Sequence, residues 1–189
     1  MKHYYLVASL PTLVLGEPPA FGTEEMAAKC ANVLSDSERQ ELALVLEGRE
    51  SESANPFLAA WMEIDTQLRN SIARVRASKL SVESRPYLHE HRDFNVGLEK
   101  AVTDAYTKPN PYEREMEIDR FRWETLDEMV LTRRFSFDAV LAWALKLRIA
   151  ERWAKMTEEA GREHFEKLAE TTGSAEKEKE EAVSESGAA

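Results

Sequence analysis

The residues best suited to chemistry gather in two kinds of place. In "HEHRD", His89, His91 and Asp93 occupy alternate positions. On an extended chain that spacing puts all three side chains on one side, a start on a zinc site that still needs a further ligand or an open water position. Nothing else in the chain marks that further ligand. Solvated loop charges account for the cluster equally well, so we assign no metal ligand, no cofactor and no catalytic residue, and keep His89/His91/Asp93 as an alternative reading. The sequence has no phosphate-cradling G-x-x-x-x-G-K-[ST], no G-x-G-x-x-G and no H-E-x-x-H. None of its four histidines follows a Glu by three residues, as the ligand pairs of two-metal helical carboxylate proteins do.

The second kind of place is cationic. "RNSIARVRASK" carries Arg69, Arg74, Arg76 and Lys79, of which Arg69, Arg76 and Lys79 can share a helix flank beside Ile72 and Val75. "DRFRWETLDEM" interleaves Arg120 and Arg122 with Phe121 and Trp123, a mixture enriched at interface hot spots and found on ordinary amphipathic helices too. "RFSFDAVLAWALKLRIAERWAKM" begins as hydrocarbon and ends with Arg148, Glu151, Arg152 and Lys155 on the face that was apolar two turns earlier. Arg148–Glu151 and Glu151–Lys155 are spaced for mutual pairing, which explains how these charges coexist but not why the apolar side switches. Either the end of this helix leans on a second layer, or it projects toward a partner. We take Trp153 to be covered by the "REHFEKL" segment and the arginines to face a partner, so reversing Arg148 and Arg152 to Glu is expected to cost assembly more than melting temperature. Arg148, Arg152, Arg120, Arg122, Arg69 and Arg76 are the candidate partner-binding residues.

The elements that must position these side chains are helices. "SDSE" from Ser35 is a capping box, and Gly48 stands where a left-handed residue closes a helix. Asn55-Pro56 and Asn110-Pro111 each set a good N-cap before a proline at the first helical position. From the first, Phe57, Trp61, Ile64, Leu68, Ile72 and Val75 recur at spacings of three and four. From the second, Tyr112, Met116, Phe121, Trp123, Leu126, Met129 and Val130 make a broader face. Shorter helices are expected at 24–34 and 97–107, with a loop or broken helix over "SVESRPYLHEHRDFNV". A long helix starts at Ser136, with Phe135 and Val140 placed for a hydrophobic staple. It is expected to run to Gly161, and "REHFEKLAE" adds a last short helix. "YYLVASL" has strand character, but a strand without a partner does not persist. The expected fold is mainly α, a bundle of about six or seven helices with a short extended N-terminal segment.

With 189 residues, the chain is long enough for one domain with a real core. We place that domain at 1–170 and read 171–189, five Glu and two Lys without an aromatic residue, as a disordered acidic tail. A net charge of −10 argues against nucleic acid as a partner. A single cysteine, Cys30, excludes an internal disulfide and fits a reducing compartment. Pro11 interrupts the N-terminal apolar run, and no A-x-A-like cleavage site follows. No stretch has the roughly 18 consecutive apolar residues of a membrane span. These features favour a cytoplasmic protein without direct membrane insertion.

Three segments, "HYYLVASLP", "NPYEREMEIDRFRWETLDEM" and "FSFDAVLAWALKLRIAERWAKMTEEAGREHF", resemble a bacterial family of unknown function whose genes commonly lie among those for V-type ATPase subunits. The last is also similar to the closing helix of the C subunit (d in eukaryotes) of V/A-type ATPases. The resemblance implies a non-catalytic helical adaptor in an ion- or proton-transporting rotary ATPase. Its implied partners are the central stalk and the membrane rotor ring, which would place it peripherally at the inner face of the membrane. C/d subunits are considerably longer, so this chain would supply only part of such a socket. The first alternative is a generic helical scaffold or regulatory protein whose partner lies elsewhere.

Overall fold

In a computed structural model, residues 3–92, 94–156 and 161–162 are described. Within them the chain is helical: α1 (Tyr4–Ser9), α2 (Thr23–Cys30), α3 (Asp36–Glu47), α4 (Pro56–Leu80), α5 (Val96–Ala105), α6 (Pro111–Val130) and α7 (Phe137–Ala154), with single 3-10 turns at Glu50–Glu52 and Arg85–Tyr87. No strand occurs among the described residues. The expected mainly-α bundle is what forms.

Local signals set most of the boundaries. The Ser35 hydroxyl and amide both meet the Glu38 carboxylate, completing the capping box. Asn55 and Asn110 accept from the amides of Phe57 and Tyr112, each with proline at the start of the helix. Gly48 is left-handed at φ 78°, and α3 closes there through Arg49 N–H to Leu44 O at 2.8 Å. α4 ends on Ser81, also left-handed at φ 55°, with Val82 N–H reaching Ala77 O at 3.0 Å.

Three expectations are corrected. The N-terminal segment, expected to be extended, is helical over "YYLVAS"; the extended stretch comes after it, and there Pro11 O accepts from Trp143 Nε1 at 3.0 Å. Phe135 packs on the ring of Tyr4, 4.6 Å between centroids, and is 46% exposed, whereas Val140 is fully buried. α7 ends at Ala154, not at Gly161. The "REHFEKLAE" helix and the 171–189 tail lie outside the described residues, apart from Arg162.

Two apolar clusters are stacked along the long helices. The larger joins α1, α2 and α3 to the first half of α4, the last half of α6 and the body of α7, around Met26, Val45, Leu58, Trp61, Leu126, Val140, Leu141 and Leu147. The smaller joins the second half of α4 to α5 and the start of α6, around Leu68, Leu98, Val102 and Ile118. The stripe read along α4 therefore serves both: Phe57 and Trp61 enter one cluster, Leu68, Ile72 and Val75 the other.

α7 is buried nearly all round, with Ala139, Val140, Leu141, Ala142, Ala144, Leu145, Leu147, Ala150 and Trp153 inside. Its charged end is used internally. Glu151 accepts from the Thr23 amide at 2.8 Å and so caps α2, whose N-cap residue is Gly22 and offers no side chain. A Cβ on Gly22 would stand 2.7 Å from Glu151 Oε1, so a side chain there would push the carboxylate end away from the Thr23 amide. The loop before α5 is held by α4 through two buried amides. Gln67 exchanges both of its hydrogen bonds with the backbone of Asn95 (3.0 Å each), and Asn70 does the same with His89 (2.6 and 2.9 Å).

Gly22→Ala and Glu151→Ala should each cost on the order of 1 kcal/mol in urea unfolding, the scale of a lost helix cap. The double variant should cost clearly less than the sum, because both act on one contact; full additivity would mean that the contact is not shared. Cys30 is fully buried with its Sγ 3.8 Å from Met26 Sδ, and burial pushes its thiol up from 9.0 to about 11. An Ellman reagent at pH 8 should therefore react only as the chain unfolds. Between about pH 9 and 11 the unfolded chain loses this proton while the native chain keeps it, so the cysteine's contribution to stability falls as pH rises through that window.

Candidate functional site

Asp65 on α4 and Asp119 on α6 lie between the two apolar clusters, their side chains 6% and 1% exposed. Isolated carboxylates at that depth carry a desolvation cost of several kcal/mol, so each must be compensated by a cation or by N–H donors. Asp65 meets Arg122 Nε at 2.9 Å and Arg69 Nε at 2.7 Å. Asp119 accepts from Arg122 Nη1 at 2.9 Å and from the indole N–H of Trp153 at 2.8 Å, and pairs with Arg152. Arg122 bridges the two acids. Burial works against its charge, but Asp65 and Asp119 outweigh that and hold the guanidinium above its ordinary value. Nearby, Arg148 pairs with Glu50 of the 3-10 turn.

This network answers the question raised by the reversed helix. Arg148, Glu151 and Arg152 at the end of α7 are attached to Glu50, Thr23 and Asp119 on three other elements. Trp153 is buried, and among the described residues α6 contributes to its cover: Tyr112 meets it edge-on at 5.0 Å and Asp119 binds its N–H. The "REHFEKL" segment expected to cover it lies outside the described residues apart from Arg162. Because Arg148 and Arg152 both have internal acidic partners, reversing them to Glu sets like charges together. That change costs stability, so it does not isolate a partner contact.

Five of the six nominated arginines line two adjoining clefts on one side of the molecule. The first, about 470 Å³, lies along the second half of α4; among the described residues it is lined by Arg69, Arg76, Arg122 and Arg152 against one carboxylate, Glu115. Its apolar wall is Ile72, Ala73, Ala77, Leu80, Val82 and Tyr87. The second, about 440 Å³, has Arg69, Arg122, Arg148 and Arg152 against three carboxylates, Glu50, Asp65 and Asp119. Arg69, Arg122 and Arg152 are common to both. Asp65 and Asp119 are buried, whereas the side chains of Arg69 and Arg76 are 67% and 60% exposed. The surface presented by the first cleft is therefore cationic.

Arg120 is not part of this face. Two residues from Arg122, it turns about 200° around the helix and lines a separate depression with Lys108, Glu117 and Glu124. Arg74 pairs with Glu99 of α5. Lys146 sits 4.7 Å above the ring of Trp123, joining α7 to α6.

His89 is exposed and fixed through its backbone by Asn70. Asp93, the third member of the metal reading, lies outside the described residues. Among the described residues, no group of three or more His, Cys, Asp and Glu is placed to hold a metal ion, and no helix is long and apolar enough to cross a membrane. Sequence reasoning missed Asp65, Asp119, Leu80, Val82 and Tyr87. The two acids read as ordinary helix charges, although Asp65 stands four residues before Arg69 and Asp119 three before Arg122, spacings suited to pairing.

A family described as "Protein of unknown function (DUF2764)" matches residues 47–174. No curated protein and no solved structure matches the chain.

Asp119→Ala strips Arg122, Arg152 and Trp153 of a shared partner and should cost roughly 3–5 kcal/mol in denaturant unfolding, as removal of one member of a buried pair does. Arg76→Gln, at an exposed side chain, should cost less than about 1 kcal/mol. Equal losses would remove the distinction between the buried network and the exposed rim.

Proposed function

The chain belongs to that uncharacterised family, and we propose that it is a non-catalytic docking protein whose arginine face receives another protein. The observation that carries this reading is the convergence of Arg69, Arg76, Arg122, Arg148 and Arg152 from three helices on two adjoining clefts of an acidic chain. Arginine presents a planar fork of donors suited to carboxylates, and complementary charge steers and orients a docking partner. The buried carboxylates fix part of this set in advance, which lowers the ordering cost of binding.

The assembly we propose is a V/A-type rotary ATPase, in which the protein would be an accessory or C/d-like subunit joining the central stalk to the membrane rotor. Support for that assembly comes from the sequence resemblance of the opening, middle and closing segments, the last of which is also similar to the C/d subunit; the arginine face supplies a means of attachment. In this reading the protein is cytoplasmic and reaches the inner face of the membrane through the complex.

A tagged full-length chain, expressed in a cell that carries a V/A-type ATPase and purified after mild crosslinking, should recover stalk or rotor subunits. Arg69→Gln with Arg76→Gln, which remove charge without setting like charges beside Asp65 and Glu115, should reduce that recovery while leaving the protein folded. Recovery of no ATPase subunit would overturn the assembly, and recovery unaffected by the two substitutions would overturn the face.

A further inference from the structure

We propose, building on the docking reading above, that the first cleft accepts an acidic amphipathic segment of the partner: one large apolar side chain against the wall, flanked by carboxylates on the arginine rim. Two independent features meet there. Leu80, Val82 and Tyr87 are 72%, 52% and 64% exposed, an unusual concentration of apolar surface beside a polar rim, the pattern of an interaction site. Leu80 and Val82 flank Ser81, the one non-glycine residue with positive φ among those described. The Val82 N–H to Ala77 O bond closes that turn and ties the apolar wall to the rigid end of α4.

The second feature is charge. Arg69 and Arg76 are mostly exposed; among the described residues Arg69 pairs with Asp65 at 2.7 Å and Arg76 with Glu115 at 3.4 Å, Arg76 Nε also donating to Tyr106 Oη at 2.7 Å. A guanidinium carries five N–H donors, so a single carboxylate leaves donors for a second. The Glu115 contact is long and exposed, and an incoming carboxylate displaces it at little cost. The same chemistry disfavours other occupants. An inorganic anion makes no use of the apolar wall, and a nucleic acid, a long polyanion, meets far more of the repulsion of a chain with net charge −10 than a short segment with a few carboxylates does. The second cleft, with its own carboxylates nearly matching its arginines, offers no such surplus.

A displayed library of random peptides selected on the immobilised full-length protein tests this directly. The selected peptides should share a large apolar residue with Asp or Glu three or four positions away. A synthetic peptide of that sequence should lose about tenfold or more in affinity toward Arg76→Gln and toward Leu80→Ser, the scale of a hot-spot contact, and should bind more weakly as salt rises. Both variants alter exposed side chains, and an unchanged circular dichroism melt verifies that they are folded. Enrichment of neutral or basic peptides, affinity indifferent to both variants, or competition by millimolar inorganic phosphate as strong as by free peptide would overturn the proposal. Cellular recovery of a partner that depends on Arg69 and Arg76, without any acidic–apolar motif in selection, would overturn this partner chemistry while leaving the docking reading in place.

Discussion

A carboxylate with almost no access to water, Asp119, is the constraint on which the arrangement of the long helices depends. Its two oxygens take donors from Arg122 on its own helix and from Arg152 and Trp153 on α7. Arg122 then passes the connection to Asp65 on α4. Helix packing alone leaves considerable freedom for α4, α6 and α7 to slide or rotate. A buried ionic set is more demanding, because any register that separates Asp119 from its partners leaves a charge in an apolar surround.

The polar layer lies where the two apolar clusters meet. Along α4, Trp61 belongs to one cluster and Leu68 to the other, with Asp65 between; along α6, Leu126 and Ile118 are divided in the same way by Arg122 and Asp119. Hydrophobic replacement of such a set often preserves or raises stability in proteins, so stability by itself is a weak account of why the charges are there. The proposed docking would give them a second use. The inner carboxylates fix Arg122 and help to hold Arg69 and Arg152, and the outer parts of the same guanidinium groups line the clefts.

What was legible in the sequence was mostly local. The Ser35–Glu38 box, the Asn-Pro starts at 55 and 110 and the turn at Gly48 involve residues a few positions apart, and each forms as read. The missed contacts span long separations: Glu151 caps Thr23 across 128 residues, and Gln67 and Asn70 bind backbone 28 and 19 residues away. A buried Asn or Gln reads like an exposed one until the strand of loop that satisfies it is placed. The arginines were identifiable by type, but their grouping depends on helix phase. Arg122 and Arg120 look equivalent in the sequence and point to different sides of α6.

The central claim is that a buried carboxylate pair organises an arginine face for an acidic protein partner. A structure of the protein in its native assembly tests that claim most directly. Partner carboxylates should lie within ion-pair distance of Arg69 and Arg76, an apolar partner side chain should rest against Leu80 and Val82, and Asp65 and Asp119 should still be bound to Arg122. A partner seated elsewhere, with the arginine clefts open to solvent, would contradict it.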